Sequence, residues 1–140
     1  VAGLLHDIGK IEVSGEILLK AASLSSEEQG LVDAHSAKGA YLLSSVGSVL
    51  REVVPIVMSH HEYFMSGYEH NKTGNNHIPL GSRVIAVADA FDAMTSDRPY
   101  RKGMPPWEAL EEIAKNTGKQ FDPDVVKVFK LVIGEKVENV

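Results

Sequence analysis

Apolar residues recur at the spacing of an α-helix along most of this chain, and this periodicity constrains its fold more than any other feature. The clearest segment carries Leu80, Val84, Val87 and Phe91 on one helical face, with alanines between them that let neighbouring helices approach closely. The period-two alternation that marks a half-buried β-strand is not found in the sequence. The chain is therefore predicted to be all-α, with the alanine-rich segment as its core helix.

Two further helices are predicted in the first half of the chain. Ser25 and Glu28 form a capping-box pattern, which predicts a helix over residues 25–44. A second helix is predicted over residues 49–62, with Pro55 early in it or at a kink. That helix would end at a pair of histidines.

Two more helices are predicted near the end of the chain. Pro105-Pro106 opens the first, which ends near Gly118, and Asp122 caps the second, with Pro123 at its first position. Gly134 is expected to close the last helix. The sequence then reads as one domain over residues 1–134, followed by a C-terminal tail over residues 135–140.

Glycine and polar residues mark the predicted breaks between helices. Gly9 is expected to stop the opening helical turn, and Ser14-Gly15 is expected to form a loop. Residues 63–79 lose the apolar period and are predicted to form a long loop, a length that usually carries function. The chain opens without methionine, so it is interpreted as a fragment cut inside a helix, with an upstream sensor or receiver domain expected.

Composition excludes several classes of function. The chain has 44% hydrophobic residues and no apolar run long enough to cross a bilayer, which indicates a protein without a membrane span. Its net charge of -5 argues against a broad DNA or RNA interface. With no cysteine, any metal must be held by histidine and carboxylate, and a cytoplasmic location is expected.

Four predicted elements each carry side chains that could bind a metal. The candidates are His6 and Asp7 near the first helix stop, His35 at mid-helix, the pair His60-His61, and Asp89 on the core helix. A buried aspartate calls for a positive partner, and Asp89 lies among residues expected to be buried. Any one of these residues alone would be more simply explained as a surface or capping residue, and their combination carries the prediction of a metal site.

The adjacent histidines favour more than one ion. Neighbouring residues of a helix point about 100° apart, so His60 and His61 cannot easily bind one ion from the same turn. A carboxylate such as Asp7 can bridge two cations, and a dimetal site serves in-line phosphoryl displacement. Ligand type leaves Fe, Mn, Zn, Co and Ni open, with Fe or Mn favoured.

Basic residues close in sequence to these candidates suggest phosphate contacts. Lys10 and Arg98 each lie next to a predicted break, and Arg101 and Lys102 follow. In a protein of net negative charge, such residues are natural partners of an anionic substrate if they face the same cleft. The competing interpretation is solvated surface charge, and for Lys102 the two are equally supported.

Spaced motifs along the chain resemble the HD-GYP family. These motifs are His6-Asp7-Ile8-Gly9-Lys10, His35, His60-His61-Glu62, Ser66-Gly67-Tyr68, Ile78-Pro79-Leu80-Gly81 and the run from Ala88 to Arg101. Their order and spacing match that family from Val1 to about Leu131. The resemblance implies an HD-domain helical bundle around two or three divalent transition-metal ions and an enzyme that cleaves cyclic di-GMP to pGpG or GMP.

The resemblance also implies a role for each matching residue. The metal ligands would be His6, Asp7, His35, His60, His61 and Asp89, with Asp7 as the bridging ligand and a catalytic residue. The substrate phosphates would be held by Lys10, Arg98 and Arg101, with Lys10 also catalytic, and Tyr68 would line the nucleotide pocket. Diguanylate cyclase-type or other signalling proteins would be possible partners of the loop around Tyr68.

Three departures from the family pattern leave alternatives open. The signature Gly-Tyr-Pro reads Gly67-Tyr68-Glu69, the usual Asp-Gly before it is missing, and family ligands upstream of His6 are not in this chain. The rival interpretations are a binding or partner module with weakened catalysis and a hydrolase of another nucleotide or phosphoester. His70 and His77 are expected to be exposed loop residues, and Trp107 is expected to pack in the core.

Overall fold

The computed structural model describes residues 1–65, 77–98 and 101–137, with side chains described up to residue 134. Helices make up the regular structure of these ranges, which contain two isolated bridges and no β-strand. The predicted all-α fold class is confirmed. The chain forms two compact units, Val1–His61 and Glu62–Val140.

The first unit is built from short helices. In chain order they are α1 (Ala2–Leu5), a first 3-10 helix (Ile8–Glu12), α2 (Gly15–Leu18), α3 (Ser26–Asp33), α4 (His35–Ser45), a second 3-10 helix (Ser48–Leu50) and α5 (Val53–Met58). Helix α4 packs against α5 and against the first 3-10 helix. It buries Ala40 and Leu43, and α5 buries Val57, so the apolar interior of this unit lies around α4.

The helix predicted over residues 25–44 is two helices that meet at Ala34. Its start is as predicted, because Ser25 and Glu28 form both hydrogen bonds of a capping box. The break follows from the carbonyl of Val32, which accepts from the Ala34 backbone N–H and from the ring of His35, whose Nδ1 lies 2.5 Å away. The ring competes with the backbone for a helical carbonyl, so His35 begins α4 instead of lying at mid-helix.

The helix predicted over residues 49–62 is shorter than expected. Pro55 is the third residue of α5, within the first turn, where its missing N–H has no helical partner to lose. The helix ends at Met58, because Ser59 leaves helical geometry (φ -113, ψ 15) and its hydroxyl donates to the Pro55 carbonyl at 2.8 Å. His60 and His61 therefore follow the helix instead of occupying its last turn.

The opening breaks also differ from the prediction. Helix α1 ends at Leu5, and Gly9 lies inside the first 3-10 helix. A Cβ on Gly9 would be 1.9 Å from the His35 carbonyl oxygen and 2.6 Å from the Gly39 nitrogen, so glycine is required there for close packing against α4. Ser14 is extended, as a break requires, and is the N-cap of α2 with its hydroxyl 3.4 Å from the Ile17 N–H, whereas Gly15 already begins the helix.

The second unit contains the three predicted helices α6 (Leu80–Thr95), α7 (Pro106–Lys115) and α8 (Pro123–Val137). Gly118, with φ of 80, follows α7 near the predicted end, where a left-handed residue favours glycine. Gly134 does not close α8, which continues to Val137. The segment at 64–65 pairs with the turn after α7, because the Met65 N–H donates to the Lys119 carbonyl at 2.9 Å.

The core of the second unit joins all three helices. Val87 and Ile113 are fully buried and pack with Phe121, Val125 and Val126, and partly buried aromatic residues border them. Three expectations for this region were wrong: Leu80 and Val84 of the predicted stripe are largely exposed, and Trp107 is 56% exposed instead of packing in the core. The inward face of α6 is set by packing against α7 and α8, which periodicity alone does not specify.

Asp122 connects α6 to the start of α8. Its Oδ1 accepts from the N–H groups of Asp124 (2.8 Å) and Val125 (3.3 Å), which confirms the predicted cap. Its Oδ2 accepts from Nη1 of Arg83 on α6 at 2.5 Å. Because Asp122 is buried, this carboxylate has replaced its water partners by three protein donors.

Asp122→Ala is expected to lower the free energy of unfolding by about 3 kcal/mol, since it removes a helix cap and leaves the Arg83 guanidinium without its buried partner. Urea unfolding measures this loss. The control is Asp124→Ala, an exposed position in the same helical turn, with an expected loss below about 1 kcal/mol. Equal losses in the two variants would contradict the role given to Asp122.

No helix in the described parts of the chain combines the length and the apolar character that crossing a membrane requires. Tyr68, Glu69 and His70 lie outside the described residues, as does the middle of the predicted long loop. The described ends of that loop, residues 63–65 and 77–79, are not helical, in agreement with the prediction.

Candidate metal centre

Five of the predicted metal ligands come together within the first unit. They are His6, Asp7, His35, His60 and His61, and their ligand atoms form two groups of three. One group contains His35, His60 and His61, and the other contains His6, Asp7 and His60. Within each group all ligand atoms lie within 4.8 Å of one another, so each group could hold a metal ion.

Helix ends orient three of these histidines in the same way. Each ring has its Nδ1 against the carbonyl oxygen three residues earlier: His6 with Gly3 (2.9 Å), His35 with Val32 (2.5 Å) and His60 with Val57 (2.7 Å). These carbonyls belong to α1, α3 and α5, whose last carbonyls have no partner within the helix. A carbonyl only accepts, so Nδ1 carries the proton and Nε2 presents its lone pair, the tautomer that binds a metal.

The Nε2 atoms of the first group lie at the separation that a shared ion requires. His35 Nε2 is 3.3 Å from His60 Nε2 and 3.2 Å from His61 Nε2. Two ligand nitrogens bound tetrahedrally to one ion at about 2.05 Å would be about 3.3 Å apart. Because His35 and His60 direct lone pairs at each other, a cation between them would turn a repulsive contact into two favourable ones.

Asp7 directs one carboxylate oxygen to each group. Its Oδ1 lies 3.3 Å from His35 Nε2, is buried, and accepts no hydrogen bond from any residue that the structure describes. Its Oδ2 lies 3.6 Å from His6 Nε2 and accepts from Lys10 Nζ at 2.7 Å. The buried oxygen beside His35 needs a positive partner, and a metal ion held by the first group would supply it.

Burial and neighbouring charges set the protonation states that metal binding needs. Burial lowers the pKa of His60 to about 4, with the other three histidines adding to this effect and the bond to Val57 opposing it. Burial raises the pKa of Asp7, but the hydrogen bond and charge of Lys10, with His6 and His35, outweigh it and leave the pKa lowered. At neutral pH the site therefore presents a neutral imidazole and an ionised carboxylate.

The remaining predicted ligand and phosphate contacts lie elsewhere in the chain. Asp89 is on α6 in the second unit and is only partly buried, whereas the sequence predicted a buried position. Arg98 and Arg101 are exposed and pair through their backbones, and Arg101 Nη2 donates to the Ala93 carbonyl at 2.6 Å. The roles of these residues, and that of Tyr68, stay predictions.

Two features of the centre were not identified from the sequence. The contact of Lys10 with Asp7 was missed, although their i, i+3 spacing was an available signal. The backbone carbonyls that orient the histidines have no sequence signal, because any residue supplies a carbonyl. His77 is exposed as expected, with its Nε2 3.3 Å from Glu62 Oε2.

Comparison with models of known protein families identifies the family of this chain. The family model described as the HD domain matches residues 1–125. The chain therefore belongs to the HD-domain family. The relatives below agree with the narrower resemblance to the HD-GYP family, and the family predicted from the motifs is thereby confirmed.

The curated relatives are named as phosphodiesterases of cyclic dinucleotides. A cyclic di-GMP phosphodiesterase of Pseudomonas aeruginosa is 42% identical over 96% of this chain, and one of Thermotoga maritima is 41% identical over 91%. A 3'3'-cGAMP-specific phosphodiesterase of Vibrio cholerae is 37% identical over 92%. These alignments cover 32%, 35% and 28% of the three relatives, so the chain spans about a third of their length.

Proposed function

We propose that the protein containing this chain is a divalent-metal-dependent phosphodiesterase that hydrolyses cyclic di-GMP to pGpG or GMP. The observation that carries the proposal is that four histidines and Asp7 form two groups of three, sharing His60, with ligand atoms within 4.8 Å of one another in each group. The substrate class is supported by the names of relatives that align with more than nine-tenths of the chain.

The proposed cofactors are two or three divalent transition-metal ions, with Fe or Mn favoured and Zn, Co or Ni as alternatives. When bound, they would supply Lewis-acid activation of a water molecule and stabilisation of the phosphate oxygens. His6, Asp7, His35, His60 and His61 would hold them, and Asp89 would complete the set. The donor atoms are nitrogen and oxygen only, which suits these metals and excludes a thiolate site.

The chain's own side chains would bind and orient the substrate. Lys10, Arg98 and Arg101 would pair with the two phosphates, because guanidinium and ammonium groups stabilise charge that grows on phosphate oxygens. Tyr68 would line the nucleotide pocket. Asp7 and Lys10 would be catalytic, since one would bridge the ions and the other would contact the reacting phosphate.

The domain organisation and the partners of the whole protein are also part of the proposal. Residues 1–134 would form the phosphohydrolase domain of a longer cytoplasmic signalling protein, with a sensor or receiver domain upstream and residues 135–140 as a tail. The loop around Tyr68 would contact diguanylate cyclase-type or other signalling proteins. No nucleic-acid partner is proposed, because the net charge is -5.

A second candidate substrate is the mixed cyclic dinucleotide 3'3'-cGAMP. Three of the curated relatives carry names specific to it, with identities of 37%, 32% and 41%. The two substrates differ at one base and share both phosphodiester linkages, so the same metal centre would serve either. The base contacts that separate them would come from the pocket around Tyr68.

The test is a substrate panel on the full-length protein loaded with Mn²⁺ or Fe²⁺. Cyclic di-GMP, 3'3'-cGAMP and a mononucleotide are supplied separately, and products are resolved by chromatography. Release of pGpG or GMP from cyclic di-GMP is the expected result, and the His77→Ala control, which changes an exposed histidine outside the metal groups, should keep this activity. Preference for the mononucleotide would reject the cyclic dinucleotide class, and binding without turnover would favour the binding module.

A further inference from the structure

The two oxygens of the Asp7 carboxylate have different partners. Oδ2 accepts a hydrogen bond from the Lys10 ammonium at 2.7 Å, and Oδ1 accepts none from the described residues. A unit positive charge therefore already lies beside Oδ2, the oxygen nearer His6, whereas Oδ1 faces His35. The carboxylate is asymmetric before any ion binds.

His60 adds to this asymmetry because it belongs to both groups of ligand atoms. Its Nδ1 donates to the Val57 carbonyl, so only Nε2 can bind an ion. That Nε2 lies 3.3 Å from His35 Nε2, the separation of two ligands on one ion. If His60 binds the first ion, the second group has only His6 and Asp7 Oδ2 left as ligands. That oxygen already accepts a hydrogen bond from Lys10.

We propose that Lys10 competes with the second metal ion for Asp7, so that the two positions fill in sequence. The first ion binds at His35, His60 and His61 with Oδ1, the oxygen to which no described lysine or arginine donates. The second ion binds at His6 and Oδ2 only when it displaces the Lys10 ammonium. This inference rests on the metal centre of the proposed function and adds an order of loading to it.

Coulomb repulsion supplies the physical reason. A divalent ion on Oδ2 would lie within a few ångströms of an ammonium that contacts the same oxygen, a distance at which like charges repel even with partial screening by water. Lys10 can leave, because its side chain is 35% exposed and its flexible stem can carry the charge into solvent. Second-ion binding would thus release Lys10, the residue proposed to contact the substrate phosphate.

The experiment titrates metal-free full-length protein with Mn²⁺ alone in a calorimeter, without substrate. The wild-type protein should show a tight step and then a weaker one. Lys10→Met should tighten the weaker step by about tenfold or more and leave the tight step unchanged, because only Oδ2 loses its competing charge. Lys10→Arg keeps the charge and should retain the wild-type weaker step.

Lys38→Met is the matched control. Lys38 lies in the same unit, pairs with Glu12 at 3.5 Å and has 32% side-chain exposure, close to that of Lys10. It should change neither step. Thermal unfolding of the metal-free variants checks that each is folded, and Lys10→Gln replaces Lys10→Met if the latter is not.

The outcomes separate this inference from the proposed function. A weaker step that is unchanged or weakened when Lys10 is neutralised, while two ions still bind, overturns the competition and leaves the metal centre standing. An equal tightening in Lys38→Met also overturns it, since the effect would then be one of net charge. No Mn²⁺ binding by the wild-type protein would reject the metal centre itself, and with it the proposed function.

Discussion

Asp7→Ala is expected to remove bound metal and cyclic dinucleotide hydrolysis together. One oxygen of Asp7 faces each group of histidines, so a single substitution takes a ligand from both metal positions. Metal affinity should fall by more than about a hundredfold, since even residues that only orient a metal ligand contribute ten- to a hundredfold. Hydrolysis should fall by at least about a thousandfold, because the activated water depends on the ions.

Elemental analysis per chain and product chromatography measure these two losses in the full-length protein. Asp33→Ala is the control: Asp33 lies in the same unit, is exposed on α3 and accepts from Gln29 at 2.7 Å. It should keep both metal and activity. Wild-type metal content in Asp7→Ala would show that Asp7 does not bridge the two positions.

Gly9→Ala is expected to destabilise the first unit by about 3 kcal/mol or more. The added methyl group would be 1.9 Å from the His35 carbonyl oxygen and 2.6 Å from the Gly39 nitrogen, and both are backbone atoms that cannot rotate away. The first 3-10 helix must then move away from α4, and overpacking of this kind costs about 1–3 kcal/mol, occasionally more. His6 and Asp7 precede that helix directly, so metal affinity should weaken as well.

Urea unfolding of the metal-free protein and Mn²⁺ titration measure the two effects of Gly9→Ala. Gly30→Ala is the matched control, because Gly30 lies inside α3 and a Cβ there would meet nothing within 4 Å. It should stabilise the protein by about 0.5–1 kcal/mol through helix propensity. Similar stability of the two variants would show that the first 3-10 helix can move away from α4 without cost.

The sequence was sufficient for the fold class and for most helices, because these depend on local signals. The capping box at Ser25 and the aspartate cap at Asp122 each start a helix where predicted. Helix ends were harder to predict. His35 breaks one helix by contacting the Val32 carbonyl, and Ser59 ends another, and neither event follows from periodicity.

The candidate site was predicted as a set of residues, and its geometry was not. His60 and His61 would point about 100° apart only if both residues were on a helix. The structure places them after α5, where both Nε2 atoms approach His35, so the pair belongs to one group of ligands. Whether the centre holds a second ion therefore depends on Asp7 and His6. The orientation of these two side chains arises from contacts that the sequence pattern does not predict.

The histidine contacts with helix ends have a further consequence for folding. An ion bound by His35, His60 and His61 would join the ends of α3 and α5, and an ion bound by His6 and Asp7 would attach the end of α1 to the same centre. Such an ion is a reversible cross-link, and it restricts the unfolded chain most when the closed loops are long. Because this chain contains no cysteine, the metal centre would thus act here as a disulfide does in other domains.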